Sequence, residues 1–251
     1  MPSLSKIAHL ALFALAANAV PVADIVNASC APGGNFDLSP WTLQLPTGKT
    51  GSPDSVSSSQ LAGCKGYTST DFYTNTDGSL VTKVPGSPKS AGCVTTKNSL
   101  HCRTELRESS PSSWDPNAAT NSLTVKLAVI TADDSARGTV VGQIHIDDSI
   151  SSKPVCELYY NQAGKLSMGV EQTRAGGDSK YTDIGTVAVG KTFEYVIKYE
   201  KNVLSVSLDN ATGVTLPTFS LDAPKSYFKV GNYNQGDSKS EVHFFDIAVQ
   251  H

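Results

Sequence analysis

Apolar and polar residues alternate with a period of two along much of the chain. The alternation recurs in residues 123–130 (LTVKLAVI), 140–147, 154–161, 165–173, 191–200, 202–209, 227–235 and 241–249. These runs are rich in β-branched or aromatic residues, and most are separated by Gly, Asp, Asn or Pro clusters, the signature of strands joined by turns. Asn161-Gln162-Ala163-Gly164 and Lys201-Asn202 are placed to close hairpins. Only residues 55–64 (SVSSSQLAGC) predict a helix, and a short one. No repeat and no compositional break divides the chain. The expected architecture is therefore all-β, a single domain of two antiparallel sheets packed as a sandwich or jelly roll.

Composition sharpens this picture. Of 251 residues, 39% are hydrophobic and 17% charged, with 20 Gly and 13 Pro. That suits a turn-rich β domain with one good-sized core and excludes both a coiled coil and a disordered chain. The formal charge is −3, so no basic field exists to hold nucleic acid.

Residues 1–19 read as an address. Lys6 precedes the apolar run 7–17, which is too short to span a bilayer, and Ala17-Asn18-Ala19 fits a small-x-small cleavage site. The expectation is a signal peptide over 1–19 and a secreted monomer formed by one domain over 20–251, with no membrane span. Without residues 1–19 the charge is −4, because Lys6 is lost and no acid goes with it. Any anion site must then be a local cluster.

The five cysteines, Cys30, Cys64, Cys93, Cys102 and Cys156, suit an oxidising compartment. Cys93 with Cys102 would close a small loop and Cys30 with Cys64 would tie down the N-terminal segment. Cys156 would then be an inert buried thiol, although spacing alone does not fix connectivity. Metal-ligand spacing is absent, so neither metal nor cofactor is expected. Asn27 and Asn210 head glycosylation sequons.

Three segments carry more polar chemistry than strands need. In residues 101–108 (HCRTELRE), Arg103, Glu105 and Arg107 point one way, and Thr104 and Leu106 the other. In the second segment, Gln143 and His145 share a face that also includes Val141. In residues 227–235 (YFKVGNYNQ), Tyr227, Lys229, Gly231, Tyr233 and Gln235 share one face, while Phe228, Val230 and Asn232 share the other. Gly231 reads as a gap through which a ligand approaches the backbone. Taken singly, such stripes are commonly solvated surface ladders or structural histidines. Together they furnish a surface for an anionic, hydroxyl-rich chain. Arginine and glutamine bind a carboxylate, and histidine and tyrosine exchange protons, which is the equipment for proton abstraction α to a carboxyl group.

RTELRE, QIH and YFKVGNYNQ resemble the three conserved blocks of the family 7 polysaccharide lyases, alginate lyases with a β-jelly-roll fold. DLSPWTLQLPTG (37–48) and DGSLVTKVPG (77–86) resemble the stretches preceding them, so the likeness runs from about Phe36 to the C-terminus. Val230 stands where the family commonly has alanine. The extra cysteines and sequons suggest a fungal or other eukaryotic member.

The resemblance implies β-elimination on a 4-linked uronate polymer, alginate. Arg103 and Gln143 would neutralise the C6 carboxylate, and His145 and Tyr233 would move the protons. For guluronate, His145 would be the base and Tyr233 the acid. For mannuronate, Tyr233 would serve as both, its phenol pKa lowered by Arg103 or Lys229. Glu105, Arg107, Tyr227, Lys229, Asn232 and Gln235 complete the expected substrate-binding set, with Glu105 and Arg107 ordering the groove by pairing. Three other readings stay open at this point. A glycoside hydrolase needs two flanking carboxyl groups, but its E-x-D-x(x)-E strand is absent. A non-catalytic carbohydrate-binding module would not need Gln143, His145 and Tyr233 together. A glucuronan lyase would share the groove and the chemistry. Ile144 in QIH tends to accompany guluronate-containing substrates in the family, although it should face away from the sugar.

Overall fold

The computed structural model describes residues 26–251, so the expected signal peptide lies outside the described residues. The strands are β1 (Trp41–Lys49), β2 (Ser52–Val56), β3 (Phe72–Thr74), β4 (Leu80–Val84), β5 (Arg103–Glu108), β6 (Ser122–Thr131), β7 (Thr139–Ile146), β8 (Pro154–Tyr160), β9 (Lys165–Val170), β10 (Lys180–Thr186), β11 (Thr192–Glu200), β12 (Val203–Leu208), β13 (Val214–Leu216), β14 (Ser226–Tyr233) and β15 (Ser240–Gln250). The helix expected within residues 55–64 is the single turn Ser58–Leu61, opened by a capping box at Ser57. A second turn, Pro88–Ala91, has no apolar periodicity to announce it. Ser87 caps it, Pro88 starts it, and Gly92 ends it in the left-handed conformation.

One sheet runs β10-β9-β8-β7-β14-β5-β1-β2 and the other β13-β12-β11-β6-β15-β4-β3, with every pair antiparallel. This is the two-sheet antiparallel jelly roll. Both predicted hairpins form, β8–β9 and β11–β12, the latter through Lys201 and Asn202 at positive φ. Strands β10 and β13 lack strong apolar alternation because each lies at a sheet edge with much of its surface exposed.

Between the sheets, Trp41, Leu43, Leu106, Ile144 and Phe228 meet Leu123, Val125, Tyr195, Ile197 and Phe244. Each such side chain contributes roughly 1.5–3 kcal/mol by leaving water. One carboxylate lies within this layer. Glu108 is fully buried and accepts hydrogen bonds from the Trp114 indole at 2.9 Å, the Phe228 backbone at 2.9 Å and His251 at 2.7 Å. It thereby ties β5, β14 and the C-terminal residue together.

Simple alternation fails at one place. Val141 does not share the face of Gln143 and His145, but lies in the core. The register slips at this point against both neighbours of β7, between Val140 and Gly142 on one side and between Val230 and Tyr233 on the other. The bulge turns Val140 towards Tyr159 and Tyr233. The Tyr195 hydroxyl from the opposite sheet donates to the Val141 carbonyl at 2.9 Å. A Cβ on Gly142 would meet that hydroxyl at 2.3 Å, so only glycine fits there.

Cys30–Cys64 and Cys93–Cys102 are disulfides and Cys156 is a buried free thiol, as expected. Burial pushes the Cys156 thiol up to about 12, which keeps it protonated and unreactive. Asn27 and Asn210 are both exposed. Among the described residues, no helix is long and apolar enough to cross a membrane.

Candidate active site

The three polar segments, far apart in sequence, become neighbours because β14 lies between β5 and β7. Register does the rest. Arg107 faces Lys229, which faces Gln143, which faces Glu157 on β8, so four polar side chains form one row across the sheet. Arg103 faces Tyr233, and Tyr227 faces His145. These residues line a groove of about 650 Å³ on the face turned away from the core, walled in part by Gln44, Ser99, Lys153 and Glu171.

Glu105 organises the floor. It is 1% exposed and receives Arg103 at 3.1 Å, Lys229 at 2.5 Å and the Gln143 side-chain amide. Burial alone would raise its pKa, but Lys229 and Arg103 outweigh that and hold it below the usual carboxylate range. Glu105 therefore lies beneath the groove as the anion that keeps two cations side by side. Burial, and then Arg103, pull Lys229 down to about 8.

Arg103 is held from three directions. Its guanidinium stacks 3.6 Å from the centre of the Tyr233 ring, and one nitrogen reaches Glu105 while the other reaches the Ser99 hydroxyl at 3.1 Å. The same Ser99 hydroxyl lies 3.1 Å from the Tyr233 hydroxyl. Ser99 sits in the loop closed by Cys93–Cys102, a polar stretch in which nothing distinguishes it locally from its neighbours.

The expectation that Arg103 or Lys229 lowers the Tyr233 pKa needs correcting. Burial raises it, and although Arg103 opposes this, Glu157 adds to the rise. The resting phenol is therefore protonated, ready to give a proton rather than take one.

His145 is the opposite case. Burial, and then Lys229, lower its pKa to about 4, so the ring is neutral near pH 7. Its Nδ1 lies 2.8 Å from the Ile146 carbonyl, which can only accept, so Nδ1 carries the proton and Nε2 keeps the lone pair. Tyr227 stacks on the ring at 5.1 Å and donates to Asp148 at 2.9 Å. Asp148 in turn pairs with Arg107 at 2.9 Å. Sequence reading missed Asp148 because it lies in the loop after β7, beyond the alternating run.

Two expected binding residues lie elsewhere. Asn232 is buried on the core side, accepting from Thr139 and Ser240 at 2.7 Å each and donating to the Thr82 carbonyl at 3.2 Å. Its polar capacity is committed to the fold, as its position opposite Tyr233 in the alternation implies. Gln235 follows the end of β14 and faces a separate depression beside His101 and Asp134. Gly231 likewise has a structural reason. A Cβ there would lie 2.6 Å from the Thr104 carbonyl oxygen, so glycine lets β5 and β14 approach. Among the described residues, no group of three or more His, Cys, Asp or Glu is placed to hold a metal.

The sequence profile of a family described as Alginate lyase matches residues 36–251. The chain belongs to the alginate lyase family. Membership makes it a polysaccharide lyase. An alginate lyase from Klebsiella pneumoniae is 28% identical, the match covering 88% of this chain and 91% of that protein. Among solved structures, family 7 alginate lyase A1-II′ in a Tyr-to-Phe variant complexed with product matches with a TM-score of 0.76 at 29% identity, over 88% of this chain and 99% of that one. Alginate lyase PA1167 from Pseudomonas aeruginosa matches with a TM-score of 0.73 at 28% identity, over 86% and 99%.

Proposed function

We propose that the protein cleaves alginate by β-elimination in the groove lined by Arg103, Gln143, His145 and Tyr233. The observation that carries this reading is the pairing of a neutral histidine with a protonated tyrosine beside a buried arginine, all on one face. Elimination requires the C5 proton to leave while the C6 carboxylate still bears its charge. Arg103 and Gln143 neutralise that carboxylate and the enolate-like charge that develops on it. For guluronate, His145 takes the proton through Nε2 and Tyr233 protonates the departing O4, which suits their protonation states. For mannuronate, where the proton and leaving group lie on one side, Tyr233 serves as both base and acid. Because its resting phenol is protonated, this route requires Arg103 to stabilise a transient phenolate. Lys229, Tyr227 and Arg107 hold the neighbouring sugars, and Glu105 keeps the cations in place.

Two solved structures of a similar protein support the role of the proton-transfer pair. Family 7 lyase A1-II′ was captured with product after a Tyr-to-Phe change and with substrate after His-to-Asn and Tyr-to-Phe changes. Secretion belongs to the same reading, supported by the N-terminal pattern over residues 1–19 and by the two disulfides.

The test is product formation on polymannuronate, polyguluronate, mixed alginate and glucuronan. Near-ultraviolet absorbance rising on the alginates is the expected result. Reducing ends without absorbance would mean hydrolysis, an intact polymer would mean a binding module, and a rise on glucuronan alone would move the substrate.

A further inference from the structure

The far wall of the groove is acidic, an unexpected lining for a site that holds a polyanion. Glu157 continues the row Arg107–Lys229–Gln143, and its carboxylate accepts from the Tyr159 hydroxyl at 2.5 Å. One strand further on, Val170 turns into the core and Glu171, immediately after β9, turns into the groove. The Glu171 backbone N–H bonds the Val155 carbonyl at 3.0 Å, which fixes where the side chain starts. Glu171 is 8% exposed, and its Oε2 is buried without a hydrogen-bond partner. Among the described residues, no cation forms an ion pair with it; Lys153 is near enough only to favour its ionised form. A buried carboxyl oxygen left unsatisfied costs free energy, so Glu171, which lines the groove without a protein donor to its Oε2, is a side chain that a hydroxyl of the ligand would satisfy.

We infer that Glu157 and Glu171 form a subsite that reads the sugar hydroxyls, taking the 2,3-diol of a uronate next to the one whose carboxylate lies at Arg103 and Gln143. This inference rests on the polyuronate reading above. A carboxyl oxygen accepts from hydroxyls whether or not it is ionised, but an ionised one repels a sugar carboxylate. The acidic wall therefore selects the ring edge that carries no charge. In an equatorially linked polymer such as polymannuronate, successive rings are turned over. A ring offering its carboxylate to the cations is then followed by one offering its diol on the same side. Burial raises the pKa of both carboxyls, which eases their coexistence beside an anionic chain. The subsite makes 2,3-O-acylation of the polymer a direct obstacle to binding, since an ester has no hydroxyl to donate.

The experiment measures the affinity of a mannuronate oligomer, unmodified and O-acetylated at positions 2 and 3, by calorimetry. It uses the full chain carrying Tyr233→Phe, so that cleavage does not intervene. Adding Glu171→Ala should weaken binding of the unmodified oligomer about tenfold or more. Affinity for the acetylated oligomer, already weak, should be unchanged. Equal loss on both oligomers would make Glu171 a structural residue and overturn the inference. Unchanged or tighter binding of the unmodified oligomer would mean that the carboxylate merely repels, and would overturn it too. If Glu171→Ala does not fold, Glu171→Gln carries the comparison with a smaller loss, about threefold, because a neutral acceptor is weaker. The lyase reading is judged separately: a protein with Tyr233 intact that binds the oligomer but leaves no near-ultraviolet-absorbing ends overturns that reading alone.

Discussion

Arg103 and Tyr233 face each other across β5 and β14, with the guanidinium 3.6 Å from the ring centre and both side chains meeting the Ser99 hydroxyl. The carboxylate-binding group and the proton donor are thus one packed unit, so disturbing either should be felt by the other.

Arg103→Ala should lower turnover by more than ~100-fold while the fold survives, since a preorganised charge partner contributes roughly 3 kcal/mol in a transition state. Arg103→Lys should recover only part of this, because an ammonium does not grip a carboxylate with two parallel bonds. Steady-state kinetics with a thermal-unfolding control decides. Near-normal activity in the Ala variant would transfer the role to Arg107 or Lys229.

Tyr233→Phe should abolish cleavage of polymannuronate and polyguluronate alike, with unchanged unfolding. His145→Asn should separate the two polymers. It removes the base needed for guluronate and leaves Tyr233 to work on mannuronate, with a remnant on the order of one per cent or more, as general acid–base contributions of about 10²–10⁴-fold imply. Equal loss on both polymers would sink the division of labour.

The His145 shift predicts an acid limb in kcat/KM on polyguluronate near pH 4 instead of 6.5, and the Lys229 shift an alkaline limb near pH 8 as that cation loses its charge. Stability follows the same linkage. Between about 4 and 6.5 the unfolded state binds the His145 proton and the folded state does not, so stability rises with pH through that window. The contribution is present above pH 6.5 and lost on acidification towards pH 4, and it is on the order of 3 kcal/mol. Urea unfolding at pH 7 and pH 4.5, compared between parent and His145→Asn, isolates it.

Glu105→Ala should destabilise the protein by about 3–5 kcal/mol, because it leaves Arg103 and Lys229 buried together without their shared anion. Glu105→Ala combined with Lys229→Met should be more stable than Glu105→Ala alone, since one of the stranded charges is gone. Denaturant midpoints give both numbers, and a single variant as stable as the parent would refute the shared-anion account.

Asn232→Ala should cost about 1–3 kcal/mol of stability and leave KM unchanged, because its bonds run to Thr139, Ser240 and Thr82 in the interior. A raised KM with normal unfolding would return Asn232 to the substrate.

The sequence alone was enough to read the two-sheet fold, the pairing of the cysteines as an expectation, and the residues that turn outward on each polar strand. Alternation has one period and depends only on neighbours along the chain, so Arg103, Gln143, His145 and Tyr233 were legible from it together with the resemblance. Three things required the tertiary structure. The bulge that sends Val141 inward is accompanied by the Tyr195 hydroxyl reaching its carbonyl from the other sheet, a contact between residues far apart in sequence. Glu105, Ser99, Glu157 and Glu171 acquire their surroundings from strand order and loop closure, which alternation does not encode. The protonation states depend on depth in a low-dielectric groove, so burial left Tyr233 protonated where its charged neighbours in the sequence pointed the other way.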